Sequence, residues 1–352
     1  MPPTRREFAR WLMLAPLAAA GCVGDGTPVR VHAGGSTFVD LIMQAWAREY
    51  RREKRTEIDY IKSGSGKGIS DVVARTVDFG CTDAPMSRKE LAAARAEGGD
   101  VLHLPVTIGA VAVIFNAPGV EALTLTGPVL ADIYLQNINR WDDPAVAALN
   151  PGVPLPTADI VPVRRAESSG TTGVFSEYLS KVSPAFHDRV GATKEMQLPG
   201  GTGQSGNDGI AGFVKNNPGA IGYVELAYAA RNAIPIAALK NRAGHTVRPT
   251  AEGVTAAAAT AALSKPTAEP YSLHDLAYSL TDADGAASYP IVGVSYAILF
   301  AKQPPDKGPA VVDFLKWVVT DGQKLARDLH YGPLPEAWSL KATAKLDAVT
   351  FL

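Results

Sequence analysis

The chain has 352 residues, with 34 Lys and Arg against 35 Asp and Glu and a formal net charge of −1. A balance this close to neutral excludes a nucleic-acid or general polyanion binder, which carries a basic surplus. Two cysteines, Cys22 and Cys81, are too few for a disulfide framework, and the six histidines (His32, His103, His187, His245, His274, His330) show no metal-ligand spacing. No metal and no cofactor is expected, and the length suggests two domains.

Residues 1–21 read as an export signal. Arg5-Arg6-Glu7-Phe8 is a twin-arginine pair followed by an aromatic, and Trp11 to Ala20 is almost wholly apolar. That run is too short to span a membrane, which takes about 20 apolar residues. Ala18-Ala19-Ala20-Gly21 leads into Cys22 and resembles a bacterial lipobox, with Ala19 where Leu is most frequent. Cys22 is then the lipidated first residue of the mature chain, residues 22–28 a Gly/Asp/Pro tether, and the protein periplasmic or lipid-anchored to the cell envelope. The twin-arginine and general export routes both remain open. Loss of residues 1–21 removes three arginines and one glutamate, lowering the net charge from −1 to −3. With Cys22 lipidated, Cys81 has no partner, and stability rests on the core.

From residue 29 onward strands and helices alternate. Val29, Val31 and Ala33 mark a strand, Gly34-Gly35-Ser36-Thr37 breaks it, and Phe38, Leu41, Ile42, Ala45 and Trp46 repeat at helical spacing. Ile58 and Tyr60 mark a second strand, followed by Ser63-Gly64-Ser65-Gly66-Lys67-Gly68 and a helix from about Ile69. The pattern recurs at Ile160 to Arg164, with Pro162 pointing to an edge strand, then Ser168-Ser169-Gly170-Thr171 and a helix with Val174, Phe175, Tyr178 and Leu179. A fourth loop, Gly200 to Gly209, precedes a helix stopped by Asn217-Pro218-Gly219, and Ala220 to Val224 is a strand. Ala251 to Ala262 is helical, Tyr289 to Phe300 β-rich, and Val311 to Val319 an amphipathic helix. Such alternation predicts an α/β fold with mainly parallel strands.

The recurring Gly/Ser loops carry the functional signal. A helix start presents unpaired N–H groups and the positive end of a dipole; glycine lets an anion approach, and Ser or Thr hydroxyls add donors. One such loop is an ordinary cap. Four, one of them directly after Arg164-Arg165, exceed what capping needs and suit a tetrahedral oxyanion held by fixed dipoles rather than bulk charge. Two superficial motifs fail. Gly201-Thr202-Gly203-Gln204-Ser205-Gly206 matches a dinucleotide fingerprint but follows Lys194 to Pro199, not an apolar strand, and Gly66-Lys67-Gly68 lacks the Ser or Thr that a P-loop places after its lysine.

Gly35-Ser36-Thr37-Phe38, Thr76 to Pro85, Val163 to Thr171, Gly206 to Ala211, Pro218 to Val224 and Asp328 to Pro335 together resemble the PstS family, the phosphate-binding proteins of bacterial phosphate ABC importers. The resemblance spans nearly all of the mature chain. It implies a two-lobed, periplasmic-binding-protein-like fold of type II, with two mixed, mostly parallel sheets flanked by helices and a ligand cleft between the lobes. Residues 29–107 and 291–352 would form lobe I and 108–290 lobe II. By motif position the phosphate ligands would be Thr37, Phe38, Ser65, Asp83, Arg165, Ser169, Gly170 and Thr171.

Arg165 offers a planar fork suited to oxyanions. Asp83 makes sense beside an anion that still carries a proton, because its carboxylate accepts that proton's hydrogen bond; sulfate has none to give. Glu167 stands where relatives often have Asp, Lys62 and Lys67 flank Ser65, and buried Cys81 reads as packing. The expected partners are inorganic phosphate and the membrane permease of an ABC importer, with no nucleic acid, membrane contact only through the lipid anchor, and a monomeric state. Alternatives are a binder of arsenate, sulfate or molybdate, a sensor or scavenger without a transporter, and a phosphoester hydrolase using Ser65 or Ser169. The last lacks a His-bearing motif beside either serine, and no enzymatic activity is expected.

Overall fold

The computed structural model describes residues 28–54, 56–261 and 269–352. The export segment, Cys22 and all of the tether except Pro28 lie outside the described residues. Among the described residues, no helix is long and apolar enough to cross a membrane.

Eight strands form the central sheet: β1 (Arg30–Gly35), β2 (Glu57–Ile61), β3 (Phe79–Thr82), β4 (Val101–Phe115), β5 (Val161–Arg165), β6 (Thr202–Gln204), β7 (Ala220–Glu225) and β8 (Val292–Phe300). Their spatial order is β2-β1-β3-β8-β4-β7-β5-β6. The outer pairs, β1 with β2 and β3 and β5 with β6 and β7, are parallel, as βα units require. The central pairs, β8 with β3 and β4, and β4 with β7, are antiparallel. β4 joins the halves: residues 101–110 pair with β8, and 111–115 pair with β7. The result is a two-lobed α/β fold in which the expected sheets share one hydrogen-bonded ladder.

β4 escaped the sequence reading. Thirteen of its fifteen residues are buried, so it shows no alternation, and a continuous apolar run has no period to recognise.

Four helices bring residues to the sheet's carboxyl ends: α1 (Asp40–Lys54), α2 (Ser65–Val73), α3 (Gly170–Val182) and α4 (Gly206–Asn216). α1 buries Ile42, Met43, Trp46 and Tyr50, leaves Leu41 and Ala45 half-buried, and carries Arg51, Arg52 and Lys54 in its last turn, where cations favour the helix dipole. The polar tip of Trp46 is satisfied by Nε1 donating to Gly322 O at 2.8 Å.

α2 and α4 start earlier than the apolar spacing indicates, at Ser65 and Gly206 instead of about Ile69 and beyond Gly209. The Gly/Ser loops are themselves first helical turns. Gly64 (φ 94°) and Gly206 (φ 69°) supply the left-handed backbone that turns the chain into each helix. The segment before α4 is also a short strand, β6, with Val163 opposite Thr202 and Arg165 opposite Gln204. β5 is therefore interior, not an edge. Its Pro162 is tolerated because residues 161–162 pair only with β7 and residues 163–165 with β6, so each half of the strand has one unpaired side.

Candidate functional site

The eight residues singled out in the sequence come together where helix starts meet strand ends. Ser36-Thr37-Phe38 links β1 to α1, Ser65 opens α2, and Asp83 follows β3; Arg165 ends β5, and Ser169, Gly170 and Thr171 begin α3. The seven with side chains are at most 4% exposed, and Gly170 is buried. Ser169 is the N-cap of α3, its Oγ accepting from Thr172 N–H at 3.2 Å.

Asp83 is an acid ringed by hydroxyls. Ser36 Oγ donates to the carboxylate at 2.6 Å from either oxygen, Ser295 Oγ to Oδ1 at 2.9 Å, and Ser65 Oγ to Oδ2 at 3.3 Å. Burial pushes its pKa up to about 6, against the opposing pull of the serine hydroxyls and the charge of Arg165. Ser295 sits at a break in the β4–β8 register, between Ser295 and Tyr296, the kind of bulge that re-aims a side chain. Ser36 and Ser295 were not among the expected site residues. Ser36 lies inside a quoted motif, but Ser295 is 212 positions from Asp83, and no local pattern marks it.

Arg165 lies opposite in character. Glu167 Oε1 accepts from its Nε at 2.9 Å and from its Nη2, and also from Gly206 N–H at 3.0 Å. Burial raises the pKa of Glu167, but the hydrogen bond and charge of Arg165 outweigh it and hold the acid below its usual range. The longer acid thus clamps one edge of the guanidinium. Nη1 is buried with no hydrogen-bond partner among the described residues.

Three tyrosines fix the loop after β1 by its carbonyls. Tyr60 donates to Ser36 O at 2.7 Å, Tyr228 to Thr37 O at 2.8 Å, and Tyr331 to Phe38 O at 2.6 Å. The Phe38 N–H, expected as a ligand donor, here donates to Ser36 Oγ at 3.0 Å. None of the three tyrosines was foreseen, since an isolated Tyr reads as core.

The two halves touch directly across this space. Gly66 N–H donates to Ser168 O at 3.2 Å. A Cβ on Gly170 would stand 2.5 Å from Ser65 Oγ and 2.6 Å from both Asp83 N and Oδ2, so only glycine allows the approach. At the rims Lys194 pairs with Glu90 at 2.5 Å, and Lys62 pairs with Asp208. Lys67 pairs with Asp71 in its own helix. The two lysines beside Ser65 are therefore exposed and held by carboxylates. Cys81 is fully buried, as read, with burial pushing its thiol pKa up. Among the described residues, no cluster of three His, Cys, Asp or Glu could hold a metal.

A family model described as a PBP superfamily domain matches residues 24–322. A phosphate-binding protein PstS of Xylella fastidiosa (strain 9a5c) is 40% identical over 311 residues, covering 87% of this chain and 82% of its own. A PstS of Pasteurella multocida is 38% identical, covering 87% and 86%. Among solved structures, a high-affinity periplasmic phosphate-binding protein, PfluDING, bound with phosphate, superposes with a TM-score of 0.73 at 22% identity, covering 90% of this chain and 93% of that one. At that identity the likeness is one of fold. The chain belongs to the PBP superfamily, and within it to the PstS family of phosphate-binding proteins.

Proposed function

We propose that the chain binds inorganic phosphate between its lobes and delivers it to the permease of a phosphate ABC importer. The observation that carries this reading is the unpartnered Nη1 of buried Arg165. A guanidinium donor shut away from water costs free energy until an acceptor reaches it, and an oxyanion is that acceptor. Ser65, Ser169, Gly170, Thr171 and Thr37 are grouped around the same space and would supply the remaining donors, which the Phe38 N–H would join on leaving Ser36 Oγ. Asp83, at about 6, is mostly ionised at neutral pH and would accept the hydrogen bond of the phosphate's own proton. Residues 29–107 with 291–352, and 108–290, would be the two lobes. A lipid on Cys22 would hold a monomer at the envelope, exported by either route.

A transport role without catalysis fits the surroundings of both serines. Ser65 meets Asp83, Ser169 meets Thr172 N–H, and among the described residues neither hydrogen-bonds a histidine; the PstS relatives are named as binding proteins. Calorimetry of the chain from Cys22 onward tests the reading: tight uptake of phosphate and no heat from sulfate are expected. Equal affinity for the two ions would sink the role given to Asp83, and no phosphate binding would sink the function.

A further inference from the structure

Asn207, the second residue of α4, is fully buried. Its Oδ1 accepts from Glu225 N–H at 3.0 Å, which settles which way the amide faces: Nδ2 points the other way. There Nδ2 donates to Thr37 Oγ1 at 2.8 Å and, more weakly, reaches Thr171 Oγ1 at 3.5 Å. The backbone N–H of Asn207 also donates to Thr37 Oγ1, at 3.4 Å. A threonine hydroxyl has one proton to give and two lone pairs to receive with. Asn207 thus occupies one lone pair of Thr37 firmly, and approaches the second and one of Thr171 at the long limit of a hydrogen bond. Among the described residues neither hydroxyl donates to a protein acceptor, so donation to something else is the capacity left to each.

We propose that Asn207 is a positioning residue that turns the Thr37 and Thr171 hydroxyls into fixed donors for the bound anion. The proposal rests on the phosphate-binding reading. A rotor already facing its acceptor loses less entropy on binding, and a donor set fixed in advance needs no reorganisation. Because Thr37 precedes α1 while Asn207 opens α4, the bridge exists only where the two halves meet. The amide thereby links hydroxyl orientation to closure.

The test is a mutant cycle read by calorimetry with inorganic phosphate on the chain from Cys22 onward, with melting checked for each variant. Asn207→Ala is expected to weaken phosphate binding about 10-fold, and the Thr37→Val/Thr171→Val pair on the order of 100-fold, the scale of hydrogen bonds to a charged group. In the double-valine background Asn207→Ala is expected to change affinity by less than about 2-fold, because residues acting through one another are not additive. A purely structural role would carry the full 10-fold into that background and overturn the proposal, as would wild-type affinity in Asn207→Ala. Should Asn207→Ala not fold, Asn207→Asp keeps the shape and the bond to Glu225 N–H while drawing the threonine protons away from the anion. Its penalty must shrink in the double-valine background; an unchanged penalty overturns the proposal. A wild-type chain that does not bind phosphate removes the parent reading instead, so the two failures are told apart.

Discussion

The two buried charges of the site are furnished in opposite ways. Asp83 is surrounded by donors from Ser36, Ser65 and Ser295, while Arg165 is clamped along one edge by Glu167 and keeps Nη1 in reserve. The acid is supplied in advance by the protein; the cation is supplied only in part. On the proposed phosphate-binding reading, attraction would reside in the half with a spare donor, and discrimination in the half with none to spare. A carboxylate already stabilised by hydroxyls has little need of a ligand, yet it repels any oxyanion that lacks a proton to offer it.

The sharpest way to break that division is Asp83→Asn. The amide can donate to a fully deprotonated oxygen, so the preference for phosphate over sulfate should fall by about 10⁴, the scale of a lost buried hydrogen bond in discrimination. Competition calorimetry at pH 8 measures it. Next is Arg165→Met, which removes the cation and leaves the half-buried Glu167 without its cationic partner. The phosphate dissociation constant should rise on the order of 10³-fold, within the 2–5 kcal/mol typical of truncating the protein's partner to a buried charge, with little change in the phosphate-to-sulfate ratio. A large change in that ratio would mean that attraction and discrimination are not divided as described.

A third outcome concerns stability without phosphate. The native pKa of Asp83 lies above its ordinary value, so the folded state holds that proton more tightly than the unfolded chain. Its contribution is most favourable below about pH 4 and is lost as pH rises through about 6. A shift of about two units corresponds to roughly 3 kcal/mol. Asp83→Asn should melt like wild type at pH 4 and gain on it up to pH 7, other titrations cancelling in the difference. The smallest effect is at the rim. Lys194→Ala breaks the half-buried pair with Glu90 and should weaken phosphate binding about 2- to 5-fold, since such pairs are worth about 1 kcal/mol or less. Loss of that difference in high salt would confirm its electrostatic origin.

The parts of the site written in short runs were legible in the sequence. Gly64-Ser65, Ser169-Gly170-Thr171 and the glycines before Asn207 announce helix starts because only glycine tolerates the bends and approaches they make. The parts built from distant single residues were not. Ser295 reaches Asp83 from the last strand of the sheet, and Tyr60, Tyr228 and Tyr331 grip three successive carbonyls from three distant parts of the chain. Each looks like ordinary core until the fold brings it in. β4 was hidden for the reverse reason, since burial on both faces erases periodicity. Glu167 departs from the family's usual Asp in the sequence itself, but its clamp on one edge of Arg165 arises only in the fold.

The shared ladder also decides how the molecule carries mechanical load. Ala110 is the partner of Val292, and Val111 N–H donates to Ile291 O at 2.8 Å. The chain leaves the central strand pair and, after residues 112–290, re-enters it one rung away. A pull through the two ends of the chain meets β1 and the C-terminal strand pair first, and once these have parted it reaches the β4–β8 rungs before it reaches residues 112–290. The intervening segment stays slack until the rung at its entrance parts.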